Sequence, residues 1–368
     1  MMETAFHGSY AAGDVCFLLH PMSLEPISDV MEKERLIQSG ARHYGEMLSP
    51  ESLPTPAYMA LFHAAVEANV ERMASDLVCL ARQIRAARAG AITLVSLARA
   101  GTPVGVMLRR LLAVLFDVDA PHYSISVIRD RGADAHALEH VLARHDAASL
   151  VFVDGWTAKG TIGAELRRTL AACGAARGTP LEPELFVLSD LAGQAHACGS
   201  TEDYLIPSAL LNATISGLVS RTVLNVQGGI GQFHGCLYYG DAGDWRAHDL
   251  SAWFIDRLLS EVSHHQARWM AQALPVVDRI AQQQSLHGLI QTLSARYTVN
   301  HPNFIKPGIG EATRALLRRA PRLLLLRDAA APETRHLVQL ANERAVPIEI
   351  DAALPLFAVA LIRRLADA

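Results

Sequence analysis

The sequence predicts an α/β protein with a mainly parallel sheet, followed by a smaller α/β unit. Short apolar runs alternate with segments of helical spacing between residues 92 and 189, and the alternation returns between 310 and 365. Such alternation is typical of βαβ units. Hydrophobic residues make up 51% of the 368 residues and charged residues 19%, which favours packed cores and argues against disorder.

The elements follow in order from their apolar spacing. Residues 57–88 have helical spacing, and Gly90 ends that helix. The predicted strands of the core are 92–97, 124–128, 150–154 and 185–189, with 219–226 as a further strand. The predicted helices between them are 103–116, 134–145 and 162–173, and 250–297 is helical. The last unit is predicted as helix 310–319, strand 323–326, helix 332–344, strand 346–350 and helix 355–365.

We therefore predict four parts: a helical N-terminal cap (1–90), a core (91–250), a helical connector (251–300) and a C-terminal α/β unit (301–368).

The composition excludes several kinds of site. The formal net charge of -4 gives no bulk signature of nucleic-acid binding, so any such contact needs a local basic patch. The five cysteines form no CxxC pair and the sequence has no HExxH motif, so we expect no metal site. Without a signal peptide or a membrane-length apolar run, we expect a cytoplasmic protein with no membrane contact.

The most informative segment runs from a buried strand into a polar loop. The strand ends in Asp154, and an amphipathic helix follows a loop that contains Thr157, Ala158, Lys159, Gly160 and Thr161. Ligands of parallel sheets bind at the carboxyl ends of strands, and a loop before a helix presents N–H groups to anions. The segment therefore predicts a phosphate site, with Asp154 on ribose hydroxyls directly or through magnesium. An ordinary strand–turn–helix with a capping threonine is the alternative.

A second loop follows the first core strand and opens a helix. It contains Arg99, Ala100, Gly101 and Thr102, where the guanidinium can pair with pyrophosphate and glycine permits close backbone approach. Together the two loops resemble the pyrophosphate and PRPP loops of phosphoribosyltransferases, although Gly155 stands where a second acid is usual. The resemblance implies a phosphoribosyltransferase-type core that binds PRPP, with Mg²⁺ as cofactor.

Arg129 and Arg131 follow the strand between these loops. They can close on a diphosphate, or they can be surface arginines on a solvated turn. In the first case the reaction depends on substrate positioning rather than on a nucleophile, and the positioning residues are Asp154, Arg99, Arg129 and Arg131.

The segment 212–221 is unusually polar and has two interpretations. Its polar side chains can line a pocket for the acceptor, or they can be helix caps and hydroxyls at the edge of the core. The residues concerned are Asn212, Thr214, Ser216, Ser220 and Arg221.

Longer phrases resemble the bacterial StiP family over nearly the whole chain. The phrases are Gly8-Ser9-Tyr10, Glu34-Arg35-Leu36-Ile37-Gln38-Ser39-Gly40, His43-Tyr44-Gly45-Glu46-Met47-Leu48, the segment 94–103 and Phe152-Val153-Asp154-Gly155-Trp156-Thr157. The resemblance implies a link to stress and tellurium resistance and a phosphoribosyltransferase-like core joined to a Pelota-like domain. The family also carries a cysteine-protease name, for which Cys236 near His234 and Cys198 near His196 are the closest pairs in sequence.

The C-terminal unit opens with Lys306, Gly308, Glu311 and Arg314, which resemble the RNA-contacting helix start of the Pelota fold. Gly310 stands where that motif has asparagine. A local basic patch consists of Lys306, Arg314, Arg318, Arg319 and Arg322. It suits contacts with a phosphate backbone, or it is the solvated face of a docking domain.

The leading hypothesis is thus a phosphoribosyltransferase-type enzyme acting on PRPP or a nucleotide-like small molecule, in a chain that contacts RNA through its C-terminal domain and forms a homodimer. The alternatives are a cysteine protease and a non-catalytic regulator that binds nucleotide or RNA.

Overall fold

The computed structural model describes residues 6–224 and 232–363. The end of the predicted strand 219–226 therefore lies outside the described residues. The described strands are β1 (Cys16–Leu18), β2 (His20–Pro21), β3 (Thr93–Ala98), β4 (His122–Ile128), β5 (Gly132–Ala133), β6 (Leu150–Thr157), β7 (Leu185–Asp190), β8 (Ala197–Ser200), β9 (Gly235–Cys236), β10 (Ile305–Pro307), β11 (Pro321–Leu326), β12 (Ile348–Ile350) and β13 (Ala358–Ile362). The described helices are α1 (Val30–Gln38), α2 (Pro56–Ala87), α3 (Gly101–Phe116), α4 (Ala135–Leu142), α5 (Thr161–Arg177), α6 (Gly243–Ala247), α7 (Ser251–Ala271), α8 (Arg279–Arg296), α9 (Ile309–Arg318) and α10 (Arg335–Glu343).

The central sheet has the strand order β1-β4-β3-β6-β7-β8, and these neighbours pair in parallel. The short strand β5 pairs antiparallel with the end of β4. Strands β3, β6 and β7 are buried almost throughout, as expected for parallel strands that have helices on both faces. Their carboxyl ends therefore meet at one edge, where the loops that follow them can form a site.

Helix α2 packs under this sheet with α3 and α7. It begins at the Thr55 cap, whose hydroxyl accepts the Tyr58 N–H, and carries a buried apolar stripe that includes Phe62, Met73 and Leu80. The predicted N-terminal cap is not purely helical, because β1 joins the central sheet beside β4. A three-residue strand is too short to produce a periodic signal in the sequence.

The C-terminal unit has its own sheet in the order β10-β13-β11-β12. Strand β13 lies in its centre, antiparallel to β10 and β11, and is buried along its whole length. The predicted helix 355–365 is therefore wrong where the chain is described. A run such as Ala358-Val359-Ala360-Leu361-Ile362 is apolar on every side, and periodicity cannot distinguish a buried strand from a buried helix.

The mixed α/β class with a mostly parallel central sheet is confirmed. The boundaries of the four parts and the phosphoribosyltransferase type of the core stay predictions. Within residues 6–224 and 232–363, no helix combines the length and the apolarity needed to cross a membrane.

Candidate functional site

A cavity of about 860 Å³ lies at the carboxyl ends of β3, β4 and β6. Residues of helix α9 in the C-terminal unit and of the segment around Tyr44 also line it. We refer to it as the composite cavity, because the core and the C-terminal unit both contribute to it. Its volume lies in the range of roughly 300–1,000 Å³ that is usual for small-ligand pockets.

The lining of the composite cavity is strongly basic, although the whole chain is slightly acidic. Among the described residues, nine lining side chains are basic and four are acidic. The basic residues are Arg42, Arg99, Arg129, Arg131, Arg221, Lys306, Arg314, Arg318 and Arg319, and the acidic ones are Glu46, Asp130, Asp154 and Glu311. Such a surplus in a partly enclosed space focuses a positive potential on any anion inside it.

Some of these cations have partners within the protein. Arg99 forms an ion pair of 2.6 Å with Glu51, and Arg318 donates to the side-chain oxygen of Asn212 at 2.6 Å. Arg319 pairs with Glu34 from the N-terminal segment.

Two cavity arginines differ from these. The Nε atoms of Arg129 and Arg314 are buried and have no hydrogen-bond acceptor. A buried donor without an acceptor costs stability, so these two guanidiniums are suited to donate hydrogen bonds to an anionic ligand.

The electrostatics of the cavity also shift two acidic groups. Burial alone would raise the pKa of the Tyr44 phenol, but Arg221, Lys33, Arg318 and Arg319 outweigh burial and lower the pKa to about 7. Burial raises the pKa of Asp154 to about 6, against the opposing effects of the Gly155 N–H and Arg314. Both groups can therefore exchange protons near neutral pH.

The C-terminal unit is fixed to the core by contacts that surround the cavity. Lys159 donates to the backbone oxygens of Pro302 and Ile305, each at 2.9 Å. Burial lowers the pKa of Lys159 to about 7, with Lys306 adding to the effect. The guanidinium of Arg314 stacks on the Trp156 ring at 4.3 Å from the centroid.

Gly310 is required by this docking. A Cβ atom there would lie 2.8 Å from the Trp156 ring, so the asparagine of the Pelota motif would not fit.

The predicted phosphate-site residues divide into two groups. Asp154, Arg99, Ala100, Arg129 and Arg131 line the composite cavity. The others are described but do not line it: Gly101, Thr102, Thr157, Ala158, Lys159, Gly160 and Thr161. Their contacts are internal, because Thr102 is hydrogen-bonded to Ser124 and Thr157 accepts the Gly160 N–H.

The predicted RNA-contacting residues face inwards. Lys306, Glu311 and Arg314 line the composite cavity, whereas Gly308 packs against Leu191 and Asp203 of the core. Lys306 is only 5% exposed, and its Nζ lies 3.9 Å from the Glu311 carboxylate. Of the predicted basic patch, only Arg322 is not part of the cavity lining, and it donates instead to the backbone oxygen of Tyr297.

Neither cysteine–histidine pair noted in the sequence forms a reactive dyad. Cys236 is fully buried in the core, and burial raises the pKa of its thiol to about 12, while the ring of His234 is hydrogen-bonded to Ser126. Burial and Asp190 raise the pKa of Cys198 to about 12, and His196 is paired with Glu184.

The fold brings Cys16 close to Tyr123, whose hydroxyl is hydrogen-bonded to a histidine. It is half-buried at the start of β1, and its Cα is paired with that of Tyr123 on β4. The Tyr123 hydroxyl is hydrogen-bonded to Nε2 of His145 at 2.9 Å. Burial raises the pKa of Tyr123, and the Cys16 thiol adds to the rise. Burial also raises the pKa of Cys16, and Arg144 opposes that rise.

Sequence reasoning missed Tyr44 as a cavity residue and Cys16 as a candidate thiol. Tyr44 stands in a quoted family phrase, which was a signal that it matters. Cys16 has no local motif, because the groups beside it are more than a hundred residues away in the chain. Arg221, considered for an acceptor pocket, does line the cavity and stacks on Tyr44 at 4.2 Å.

Comparisons with known proteins match both parts of the chain. Residues 8–259 match the family described as tellurite-like stress resistance cysteine protease StiP, and residues 284–364 match the PELOTA RNA binding domain. A protein of Acinetobacter baylyi (strain ATCC 33305 / BD413 / ADP1) named cysteine protease StiP is 40% identical over 380 residues, covering 99% of this chain and 96% of that protein.

These matches overturn the leading hypothesis from the sequence. Both the family and the relative are described as cysteine proteases, so the expectation of a phosphoribosyltransferase-type enzyme acting on PRPP is wrong. The alternative that followed the family's name agrees better with them. With the family match over most of its length and this relative along nearly all of it, the chain belongs to the StiP family.

Proposed function

We propose that the protein is a cysteine protease with Cys16 as its nucleophile. The observation that carries the activity is the 40% identity, over 99% of the chain, with the relative named cysteine protease StiP. The surroundings of the cysteines favour Cys16. Cys198 and Cys236 are buried, and nearby acids add to the effect of burial in raising the pKa of Cys79 and Cys173.

The chemistry requires a base, because burial keeps the Cys16 thiol protonated. We propose His145 for this role, because it is hydrogen-bonded to the hydroxyl of Tyr123, the residue paired with Cys16 across the two strands. The sulfur then attacks the carbonyl carbon of the scissile peptide, and the amine leaves with the proton returned by the histidine. Water hydrolyses the resulting thioester and restores the thiol.

Changing Cys16 to serine is expected to reduce peptide hydrolysis by at least about 10³-fold, because the hydroxyl is a far weaker nucleophile in this setting. Hydrolysis of a labelled casein would measure it. Cys173→Ser is the matched control, since Cys173 is half-buried as well and should be dispensable. Full activity in Cys16→Ser would contradict the assignment.

We also propose that the C-terminal unit binds RNA, which is supported by its match to the PELOTA RNA binding domain. Lys306, Glu311 and Arg314 are the residues that we expect to contact it. Phosphate contacts release counterions, so affinity for a labelled RNA should fall as salt rises. Fluorescence anisotropy at about 50 and about 200 mM salt tests this, and an absence of binding at both would exclude the function. Mg²⁺ as a cofactor and the homodimer stay predictions.

A further inference from the structure

The composite cavity holds more positive charge than its internal partners offset. Burial and the neighbouring Arg99 lower the pKa of Arg318. Burial is also the main cause that lowers the pKa of Arg314, where Arg99 adds to the effect and Glu311 and Asp154 oppose it. Cations that depress one another's pKa in this way repel one another, and they gain stability when an anion lies between them. The unsatisfied Nε atoms of Arg129 and Arg314 indicate the same need for an anion.

The two arginines with unsatisfied Nε atoms come from different units of the chain. Arg129 follows β4 of the core, and Arg314 lies on α9 of the C-terminal unit. An anion that satisfies both must therefore lie between the two units rather than on the surface of either. Arg99, which directly follows β3, and Asp154, which lies within β6, line the same space.

The depth of this site limits what can reach it. Lys306 is buried, and Arg314 is covered on one face by Trp156, so both side chains lie too deep for a broad duplex to contact. A space of about 860 Å³ is large enough for one or two unpaired nucleotides. Unpaired ends are also the form in which RNA exposes its bases and phosphates to a protein pocket.

We infer that the composite cavity binds a phosphorylated nucleotide unit at an unpaired RNA end, and that the core supplies half of the contacts. This inference rests on the proposed RNA binding and specifies its ligand. It differs from recognition of folded RNA by an exposed helix, because α9 faces the core. The same chemistry is present in a free nucleotide, so the experiment must separate the two sources.

The test is calorimetric titration of the full chain with a 5′-phosphorylated single-stranded tetranucleotide RNA. A blunt hairpin RNA, AMP and inorganic phosphate are titrated in parallel. We expect the tetranucleotide to bind at least about tenfold more tightly than the hairpin. Arg129→Gln in the core and Arg314→Gln in the C-terminal unit should each weaken it about tenfold or more, because each removes a charge-assisted contact. Arg322→Gln, the control outside the cavity, should change affinity less than about twofold.

The outcomes separate the inference from the function on which it rests. Tight binding of the hairpin, with Arg129→Gln unaffected, would overturn the cavity site and leave RNA binding in place. Binding of no RNA in either form would overturn both. AMP binding as tightly as the tetranucleotide, with the same loss in Arg129→Gln, supports the cavity and assigns it to a free nucleotide. If Arg314→Gln fails to fold, Arg129→Gln on the core loop still decides the question.

Discussion

Changing Asp203 to alanine is expected to lower the free energy of unfolding by about 3 kcal/mol and to loosen the C-terminal unit from the core. Its Oδ1 accepts the Ile309 N–H and its Oδ2 accepts the Phe357 N–H, both at 2.8 Å. Asp203 is 9% exposed, so alanine would leave two buried donors without acceptors, each costing about 1–3 kcal/mol. It also caps α9, whose N-cap residue Gly308 has no side chain to do so.

Urea unfolding and limited proteolysis would measure this effect. The matched control is Glu202→Ala, because the neighbouring Glu202 is an exposed residue paired with Arg72 at the surface and should contribute little. Loosening the unit would also separate Arg129 from Arg314, so RNA affinity should fall in Asp203→Ala and not in the control. An unfolding midpoint equal to that of the unchanged protein would show that the docking does not depend on Asp203.

Much of the core could be predicted because buried parallel strands appear in the sequence as short runs of apolar residues. The predicted strand 92–97 corresponds to β3, and the predicted strand 185–189 corresponds to β7. The prediction failed where an element is short or uniformly apolar. β1 has three residues, and β13 has no polar side chain to reveal its period.

The site was predictable only on the side of the core. Because strand ends share one edge, the sequence could bring Arg99, Arg129 and Asp154 together. It could not show that α9 turns its basic face towards that edge, since the contact of Arg314 with Trp156 joins residues far apart in the chain. The basic patch was therefore expected at the surface, and a cationic cavity is what the packing produces.

Changing Asp76 to asparagine is expected to stabilise the protein above neutral pH by up to about 4 kcal/mol. Asp76 is buried on α2, and its Oδ2 has no hydrogen-bond partner. Burial raises its pKa from 3.8 to about 7, although Tyr204 and Arg72 oppose the rise. A raised folded-state pKa means that the carboxyl stabilises the fold below about pH 4 and that this contribution is lost as pH rises through about 7. Each pKa unit of difference between the folded and unfolded states corresponds to about 1.4 kcal/mol. A shift of about three units therefore corresponds to the penalty of about 4 kcal/mol that asparagine avoids.

Urea unfolding from about pH 4 to about pH 8 would reveal this difference, which should grow with pH and vanish at the acid end. Glu71→Gln on the same helix is the control, because that carboxylate is exposed beside Arg268 and should not produce the rise. Burial raises the pKa of Cys79 and Asp76 adds to that rise, so Asp76→Asn should speed alkylation of this half-buried thiol. The alkylation rate reports the charge near Cys79, whereas urea unfolding reports the stability of the whole fold. A stabilised protein with unchanged Cys79 reactivity would therefore mean that asparagine acts through packing rather than through removal of the charge.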